Sequence, residues 1–356
     1  MVRSRLTLQA IDLHCGGEPL RLVTAGYPPV PVAPVLERRR WVQEHADHVR
    51  QALMYEPRGH RDMYGAVLLP PGRPDADLTV LFMHNAGYST MCGHGTIAIA
   101  TALVEEGLIP AHVPETTIRL EAPCGIVVAT AATRWIDSQR GMEGGAEVTG
   151  VRFENVPSYL HARDLAVHPD GLGLDRPLAV DLAYGGAYYG IVDAAALGLR
   201  VVPEQVEALT RAGAAITEVL RRDHTPSHPQ EADLGFVYGT IIVDGAPATA
   251  PDGRAREADI RNVTIFAAAE VDRSPCGSGT SAILAARATR GLLAAGQTLR
   301  NASITGAIFE GRVEGPAFVG ASPAWWTSVA GTAYVTGYGT YVVDARDPLG
   351  GGFLLR

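Results

Sequence analysis

The chain of 356 residues contains no lysine, so all 30 of its strongly basic side chains are arginines. That absence removes the Schiff-base lysine of pyridoxal phosphate enzymes and the lysine of a Walker A phosphate loop. Cysteine is scarce: the four residues are Cys15, Cys92, Cys124 and Cys276, with no CxxC pair and no Cys/His array. Structural zinc and a disulfide scaffold are both unexpected on that pattern, and a reducing compartment fits it. The net charge of −8 leaves no basic surface of the kind that attracts nucleic acid or an anionic membrane. No stretch approaches the roughly 18 consecutive apolar residues of a spanning helix, and the first residues lack a signal-peptide core. The expected address is the cytoplasm and the expected partner a small molecule, with a homodimer as the one protein partner considered. What is abundant is apolar residue, 47% of the chain, enough for sizeable cores, and the length points to two domains.

Local patterns alternate short strands with few helices. "LHCGGEPLRLVTAGYPPVP" predicts an N-terminal hairpin, and "VLERRRWVQEHADHVRQALMYEP" one helix ended by Pro57. "GAVLLPP" and "LTVLFMHN" predict strands, and "GHGTIAIATALVEEG" a helix stopped by Gly107. "TTIRLEAPCGIVVATAA" predicts a hairpin turning at Pro123 to Gly125, and "GMEGGAEVTG" an exposed turn. Farther on, "LAVDLAYGGAYYGIVDAA" predicts paired strands and "PEQVEALTRAGAAITEVLRR" an amphipathic helix opened by Pro203. "LGFVYGTIIVDG" and "IRNVTIFAAAEVDRSP" are strand-like, and the second runs into "CGSGTSAILAARATRGLL".

A strand, a tight turn, Cys-Gly and a helix thus occur twice, as "MCGHGTIAIATAL" and "SPCGSGTSAILAA", both of the form CGxGTxA. A thiol at a helix N-terminus meets the positive end of the helix dipole and the open N–H groups of the first turn, which favour thiolate over a free pKa of about 8.5. Gly93 and Gly277 let a ligand approach those amides, so each helix start is a candidate anion site. Two acid/base groups on opposite faces of one carbon invert a stereocentre without a cofactor. A lone buried cysteine before glycine ordinarily only packs. The repetition, with His94 beside one motif and Asp272 ahead of the other, favours chemistry for Cys92 and Cys276, while Cys15 and Cys124 are read as structural. The architecture expected is two similar halves, each a β-rich layer around a helix.

"MCGHGTIA" and "DRSPCGSGT" resemble the two signature blocks of the proline racemase family, supported by "DLHCGGEP", "RGHRDMYGAV", "HNAGYSTMCGHG" and "LAYGGAYYGIVD". The resemblance implies an α/β fold like that of diaminopimelate epimerase: two pseudo-symmetric halves, each a β-barrel-like sheet around a central helix, with the active site in the cleft between them. The first half would hold residues 1–133 with a C-terminal segment of about 340–356, and the second residues 134–339. It also implies catalysis without cofactor or metal. Cys92 and Cys276 would be the acid/base thiols, the amides of Gly93, His94, Gly277 and Ser278 would hold the substrate carboxylate, and His94 and Asp272 would lie near the substrate amine.

Plainer roles stand beside these. His94 could cap its helix or bond a carbonyl, and Asp272 could form a surface ion pair with Arg273. Tyr184, Tyr188 and Tyr189 are expected in a core or cleft wall, Trp325 and Trp326 in packing or a subunit contact, and the histidines of "RRDHTPSHPQ" in a solvated loop.

Family members that resemble trans-3-hydroxyproline dehydratases keep one thiol and carry Thr or Ser at the other position. Two cysteines here therefore argue for inversion over loss of water. The resemblance places Phe266, ten residues before Cys276, where proline racemases of the family tend to have an aromatic and hydroxyproline epimerases a smaller or more polar residue; a Phe there would close the pocket on an unsubstituted ring, since a ring hydroxyl without a partner costs about 1 to 3 kcal/mol. Racemisation of proline is the leading expectation. Behind it come 4-hydroxyproline 2-epimerisation, trans-3-hydroxy-L-proline dehydration, and a non-catalytic amino-acid-binding or thiol redox protein.

Overall fold

Two glycines open the architecture. Gly16 and Gly17 both adopt positive φ, 61° and 88°, the conformation of a two-residue hairpin turn, and they join β1 (Arg5–Cys15) to β2 (Glu18–Ala25) with Cys15 opposite Glu18. This expected hairpin is part of a computed structural model that describes residues 5–138, 144–245 and 258–355.

After β2 come α1 (Val35–His45) and α2 (Asp47–Met54), two helices where one was expected. Ala46 leaves the helical region at φ −127°, and the Asp47 carboxylate, at the positive end of α2, takes the side chains of Arg50 and Gln51 at 2.6 and 2.9 Å. Their apolar residues, among them Val42, Val49 and Leu53, pack on Leu8, Val23 and Leu81 of the sheet. The chain continues through β3 (Tyr64–Leu69), β4 (Leu78–His84), β5 (Gly87–Ser89) and α3 (Gly93–Glu105), then β6 (Glu115–Ala122), β7 (Gly125–Ile136) and β8 (Gly145–Glu154). The exposed turn expected at "GMEGGAEVTG" is in large part β8. Residues 141–143 of it lie outside the described residues.

Next follow β9 (Tyr159–Val167), β10 (Leu178–Tyr184), β11 (Tyr188–Asp193), α4 (Val206–Asp223), β12 (Val237–Gly245), β13 (Ile260–Phe266), β14 (Glu270–Asp272) and α5 (Gly277–Thr289). The chain ends with β15 (Thr298–Ala302), β16 (Ile308–Val319), β17 (Ser322–Gly331) and β18 (Ala333–Asp344). No helix among the described residues is long and apolar enough to cross a membrane.

The chain divides into two compact units, residues 1–153 with 332–356, and residues 154–331. The boundaries expected at 133/134 and near 339/340 both fall inside strands. β7 runs to Ile136, and β18 pairs with β1 along its whole length, from Cys15–Ala333 to Arg5–Asp344, so the chain re-enters the first unit at residue 332.

The two units repeat one strand plan. In the first, β18, β1 and β2 are antiparallel, β2 lies parallel to β3, β3 antiparallel to β4, and β4 parallel to β6, which pairs antiparallel with β7. In the second, β9, β10 and β11 are antiparallel, β11 lies parallel to β12, β12 antiparallel to β13, and β13 parallel to β15, which pairs antiparallel with β16. The short strands β5 and β14 fold back on β4 and β13 at matching points, each just before a Cys-Gly helix.

Within each unit the Cys-Gly helix lies inside the sheet. α3 contacts β1, β2, β7 and β18, and α5 contacts β9, β10, β11, β16 and β17. Every residue of α3 from Gly93 to Val104 is buried, which is why "GHGTIAIATALV" is apolar or small on all sides rather than on one stripe. α5 is buried likewise except at Arg287 and Thr289. In the second unit Trp325 and Ser158 exchange backbone hydrogen bonds of 2.8 and 2.9 Å, which tie β17 to the segment entering β9 and curl the sheet around α5.

Candidate active site

Both cysteines are helix N-caps in which sulfur does the work usually given to an oxygen. The Gly95 amide donates to Cys92 Sγ at 3.2 Å and the Gly279 amide to Cys276 Sγ at 3.3 Å. The next amides, of Thr96 and Thr280, donate to the carbonyls of Cys92 and Cys276 at 3.0 and 2.7 Å. In each helix this leaves the first two amides, Gly93 with His94 and Gly277 with Ser278, as donors that no carbonyl within the helix can take. They are the pairs expected to hold a carboxylate.

The second glycine of CGxGT now has a physical reason that the sequence did not supply. A Cβ on Gly95 would stand 2.8 Å from Cys92 Sγ and 2.8 Å from a Phe82 ring carbon. On Gly279 it would stand 2.9 Å from Cys276 Sγ and 3.0 Å from Ile241 Cδ1. The thiol can cap its helix only where that side chain is absent.

Beyond the caps the two surroundings differ. In the first unit His94 is buried with Nδ1 3.3 Å from Cys92 Sγ, and its ring meets Tyr64 edge-on at 4.8 Å between centroids. Tyr64 is fixed in turn by Ser89, which shares a hydrogen bond with its hydroxyl, and by the stacked ring of His84. His94 therefore faces the thiol, where an imidazole can exchange a proton with sulfur.

In the second unit the same motif position holds Ser278, whose Oγ lies 3.8 Å from Cys276 Sγ and 2.7 Å from the Tyr189 hydroxyl. Asp272, 5% exposed, is no surface ion pair. Its carboxylate accepts the Ser274 amide at 2.8 Å, and Ser274 Oγ accepts the Cys276 amide at 3.1 Å. Burial pushes the Asp272 carboxyl up to about 6 against the hydrogen bonds from Ser274 and Cys276. Burial, then the Asp272 carboxylate, push the Cys276 thiol up to about 12, opposed by the Thr264 hydroxyl, the Gly279 amide and the Ser278 hydroxyl. The turn before α5 is anchored by the Pro275 carbonyl, which accepts from Asn262 at 2.9 Å, Thr280 at 3.1 Å and Asn301 at 3.3 Å. Cys276 itself holds a left-handed φ of 58°, a strained conformation for a residue with a Cβ, whereas Cys92 is extended at −145°.

A sequence model described as proline racemase matches residues 10–354. The chain belongs to the proline racemase family. It is an enzyme. A 3-hydroxyproline 2-epimerase of Burkholderia multivorans is 45% identical over 351 residues, 98% of each chain. A trans-3-hydroxy-L-proline dehydratase of Burkholderia cenocepacia is 44% identical over 350 residues, again 98% of each. Among solved structures, a hydroxyproline epimerase from Agrobacterium vitis with bound trans-4-OH-L-proline matches with a TM-score of 0.87 at 29% identity, covering 99% of this chain and 97% of that one. The α/β fold with two pseudo-symmetric halves, each a sheet around a central helix, is the architecture of this family.

Placed in that fold, the predicted residues sort by unit. Cys92, Gly93 and His94 sit together at the start of α3. Cys276, Gly277, Ser278 and Asp272 sit together at the start of α5, and Phe266, 5% exposed, stacks on Tyr238 two residues beyond Thr264, the partner of Asp272 across the β13–β14 ladder. Tyr189, expected as wall, touches Ser278 and was missed. "AYYG" in a strand does show that Tyr188 and Tyr189 point to opposite faces. Tyr184 and Tyr188 belong to an aromatic group with Tyr159, where the Tyr159 and Tyr188 hydroxyls meet at 2.6 Å. His228 lies in the expected loop, half-buried, where it packs on Tyr184 at 4.9 Å and its Nδ1 accepts the amides of Gln230 and Glu231. Trp325 donates from Nε1 to Thr289 at 3.1 Å, and Trp326 is 48% exposed. Cys15 is buried at the end of β1, and the Cys124 thiol, in the β6–β7 turn, is pushed up to about 12 by desolvation. Among the described residues no group of His, Cys, Asp and Glu is arranged to hold a metal.

Proposed function

We propose that the chain is a two-thiol epimerase that inverts the α-carbon of a proline-type imino acid, with a 3-hydroxyproline as preferred substrate. The observation that carries the reading is the doubled cap: two thiols, each bonded by the third amide of its helix, each beside two amides suited to a carboxylate. In the reaction, the first-turn amides hold the substrate carboxylate and take up the charge that develops as the α-proton leaves. One sulfur removes that proton as thiolate, the carbon becomes planar, and the other sulfur, protonated, delivers its proton to the opposite face. The enzyme is regenerated with the two thiols exchanged. In this reading His94 exchanges a proton with Cys92, which its ring contacts at 3.3 Å, and Asp272 faces the substrate's cationic nitrogen.

The choice of ring rests on the relatives. An epimerase and a dehydratase, both named for 3-hydroxyproline, match at 45% and 44%, and cysteine at both position 92 and position 276 supports the epimerase, which needs a second thiol to return a proton. Phe266 stacked on Tyr238 favours the second reading, racemisation of unsubstituted proline, for the reason given from the sequence. One experiment separates these. The protein is incubated in D2O with trans-3-hydroxy-L-proline, L-proline and trans-4-hydroxy-L-proline, and α-deuterium and stereochemistry are followed by mass spectrometry and chiral chromatography. Fastest exchange with inversion of the 3-hydroxy substrate is expected. Fastest turnover of proline selects the racemase, formation of a cyclic imine selects the dehydratase, and no exchange with any substrate overturns the two-thiol reading.

A further inference from the structure

The two caps share the amide-to-sulfur bond and differ in the group that faces sulfur, and the second one recruits a residue from another strand. Tyr189 lies on β11, 1% exposed, with its hydroxyl 2.7 Å from Ser278 Oγ and 4.0 Å from Cys276 Sγ. Its ring is set by Tyr238 on β12, edge-on at 5.8 Å between centroids, and Tyr238 is in turn stacked on Phe266. Gly185 brings the β10–β11 turn close against the helix, since a Cβ there would stand 2.2 Å from the Ser278 carbonyl oxygen. A serine hydroxyl alone rotates freely. A second hydroxyl fixed at 2.7 Å removes that freedom.

We infer that Tyr189 is a positioning residue for the proposed acid/base thiol of the second unit, its hydroxyl holding the Ser278 hydroxyl on Cys276 Sγ, in the place His94 fills beside Cys92. When Cys276 is a thiol, its S–H donates toward the Tyr189 oxygen, the contact seen at 4.0 Å. When it is a thiolate, Ser278 donates to sulfur and Tyr189 donates to Ser278, so the negative charge is met by an ordered pair of O–H dipoles. The groups that bear on this sulfur are Asp272 on β14 with Arg273 beside it, Thr264 on β13, Ser278 and the Gly279 amide on α5, and Tyr189 on β11, itself next to Tyr238 on β12. Burial raises both the Tyr189 phenol and the Cys276 thiol, so tyrosine stays a neutral donor throughout. The task is orientation, since no second charge is supplied.

The inference rests on the reading that Cys276 is one of two acid/base thiols, and its test is made on the sulfur itself. Alkylation of Cys276 by iodoacetamide is followed across pH 6 to 11 by peptide mass spectrometry without substrate, with Cys92 in the same molecules as the internal reference. Tyr189→Phe keeps the ring and removes the hydroxyl. Its Cys276 profile is expected to move to higher pH, with alkylation slowed three- to tenfold at a fixed pH on the rising limb and Cys92 unmoved. Ser278→Ala is expected to give the same shift, the double variant no larger a shift, and Ser278→Thr, which keeps a hydroxyl, the wild-type profile. An unmoved profile in Tyr189→Phe or in Ser278→Ala, or shifts that add in the double variant, overturns the inference; Ser278→Ala carries the test alone should the phenylalanine variant fail to fold. Shifted alkylation in a protein that exchanges none of the three imino acids would sink the proposed function and leave the positioning role standing. Normal epimerisation with unshifted alkylation would do the reverse.

Discussion

Replacing Asp272 by asparagine should change the pH dependence of stability in a predictable direction. The carboxylate is 5% exposed, and burial lifts it from 3.8 to about 6. A folded carboxyl that holds its proton more tightly than the unfolded chain contributes its full stability below pH about 4 and loses it as pH rises through 6. Above that, the native state carries the cost of a buried carboxylate, about two pH units at about 1.4 kcal/mol each, or roughly 3 kcal/mol. Asparagine has nothing to titrate and keeps an oxygen for the Ser274 amide. The stability of Asp272→Asn relative to wild type should therefore rise by about 2 to 2.5 kcal/mol between pH 4 and pH 7, whatever constant offset the amide adds. Urea unfolding at both pH values, read by circular dichroism and tryptophan fluorescence, measures the difference. A second readout has a fixed sign: the Asp272 charge opposes a Cys276 thiolate, so the variant should alkylate faster at Cys276 at a given pH, with Cys92 unchanged. A stability difference flat to within about 1 kcal/mol, or slower alkylation, would refute the placement of an ionised Asp272 beside Cys276.

Other substitutions test the geometry more directly. Gly95→Ala should push Cys92 Sγ off its cap, because the new methyl would meet both sulfur and Phe82 below 3.0 Å; a loss of about 1 to 3 kcal/mol in denaturant unfolding is expected, together with loss of exchange. Gly185→Ala should be at least as damaging, since its methyl would strike backbone atoms, the Ser278 oxygen at 2.2 Å and the Ala282 nitrogen at 2.8 Å; deuterium exchange of the α5 amides would report the loosened helix start. Cys276→Gly should be more stable than Cys276→Ala by about 1 kcal/mol, because only glycine takes φ 58° without strain, and equal melting temperatures would argue against it.

The repeat of CGxGT was legible because it depends on local chemistry. A cap, two open amides and a glycine after the thiol are all dictated within five residues, and the flanking strands follow from apolar runs ended by Pro, Gly and Asn. The break at Ala46 was hidden, since no helix breaker stands there and only the Asp47, Arg50 and Gln51 side-chain group marks a new start. β8 was read as a turn because glycines in "EGGAEVTG" signal bends, while pairing decides in favour of a strand. His228 sits in the polar, proline-containing loop expected, and its contacts to Tyr159 and Tyr184, from a segment far away in sequence, were not legible. Nor could any local pattern show that β18 returns to β1 and shifts the boundary to residue 332.

The sequence by itself determined which chemistry is open to this protein: no lysine for a Schiff base, two thiols at helix starts, and amides beside them for an anion. Those are properties of residue type and short spacing. The tertiary structure alone decided what faces each sulfur, because the pairing of β11 with β10 and β12 turns Tyr189 toward Ser278, and the β13–β14 hairpin carries Asp272 to Cys276 in the buried interior. Desolvation and long-range pairing are sums over distant parts of the chain, so the difference between a histidine-faced and a hydroxyl-faced thiol appears only once the sheets have closed around their helices.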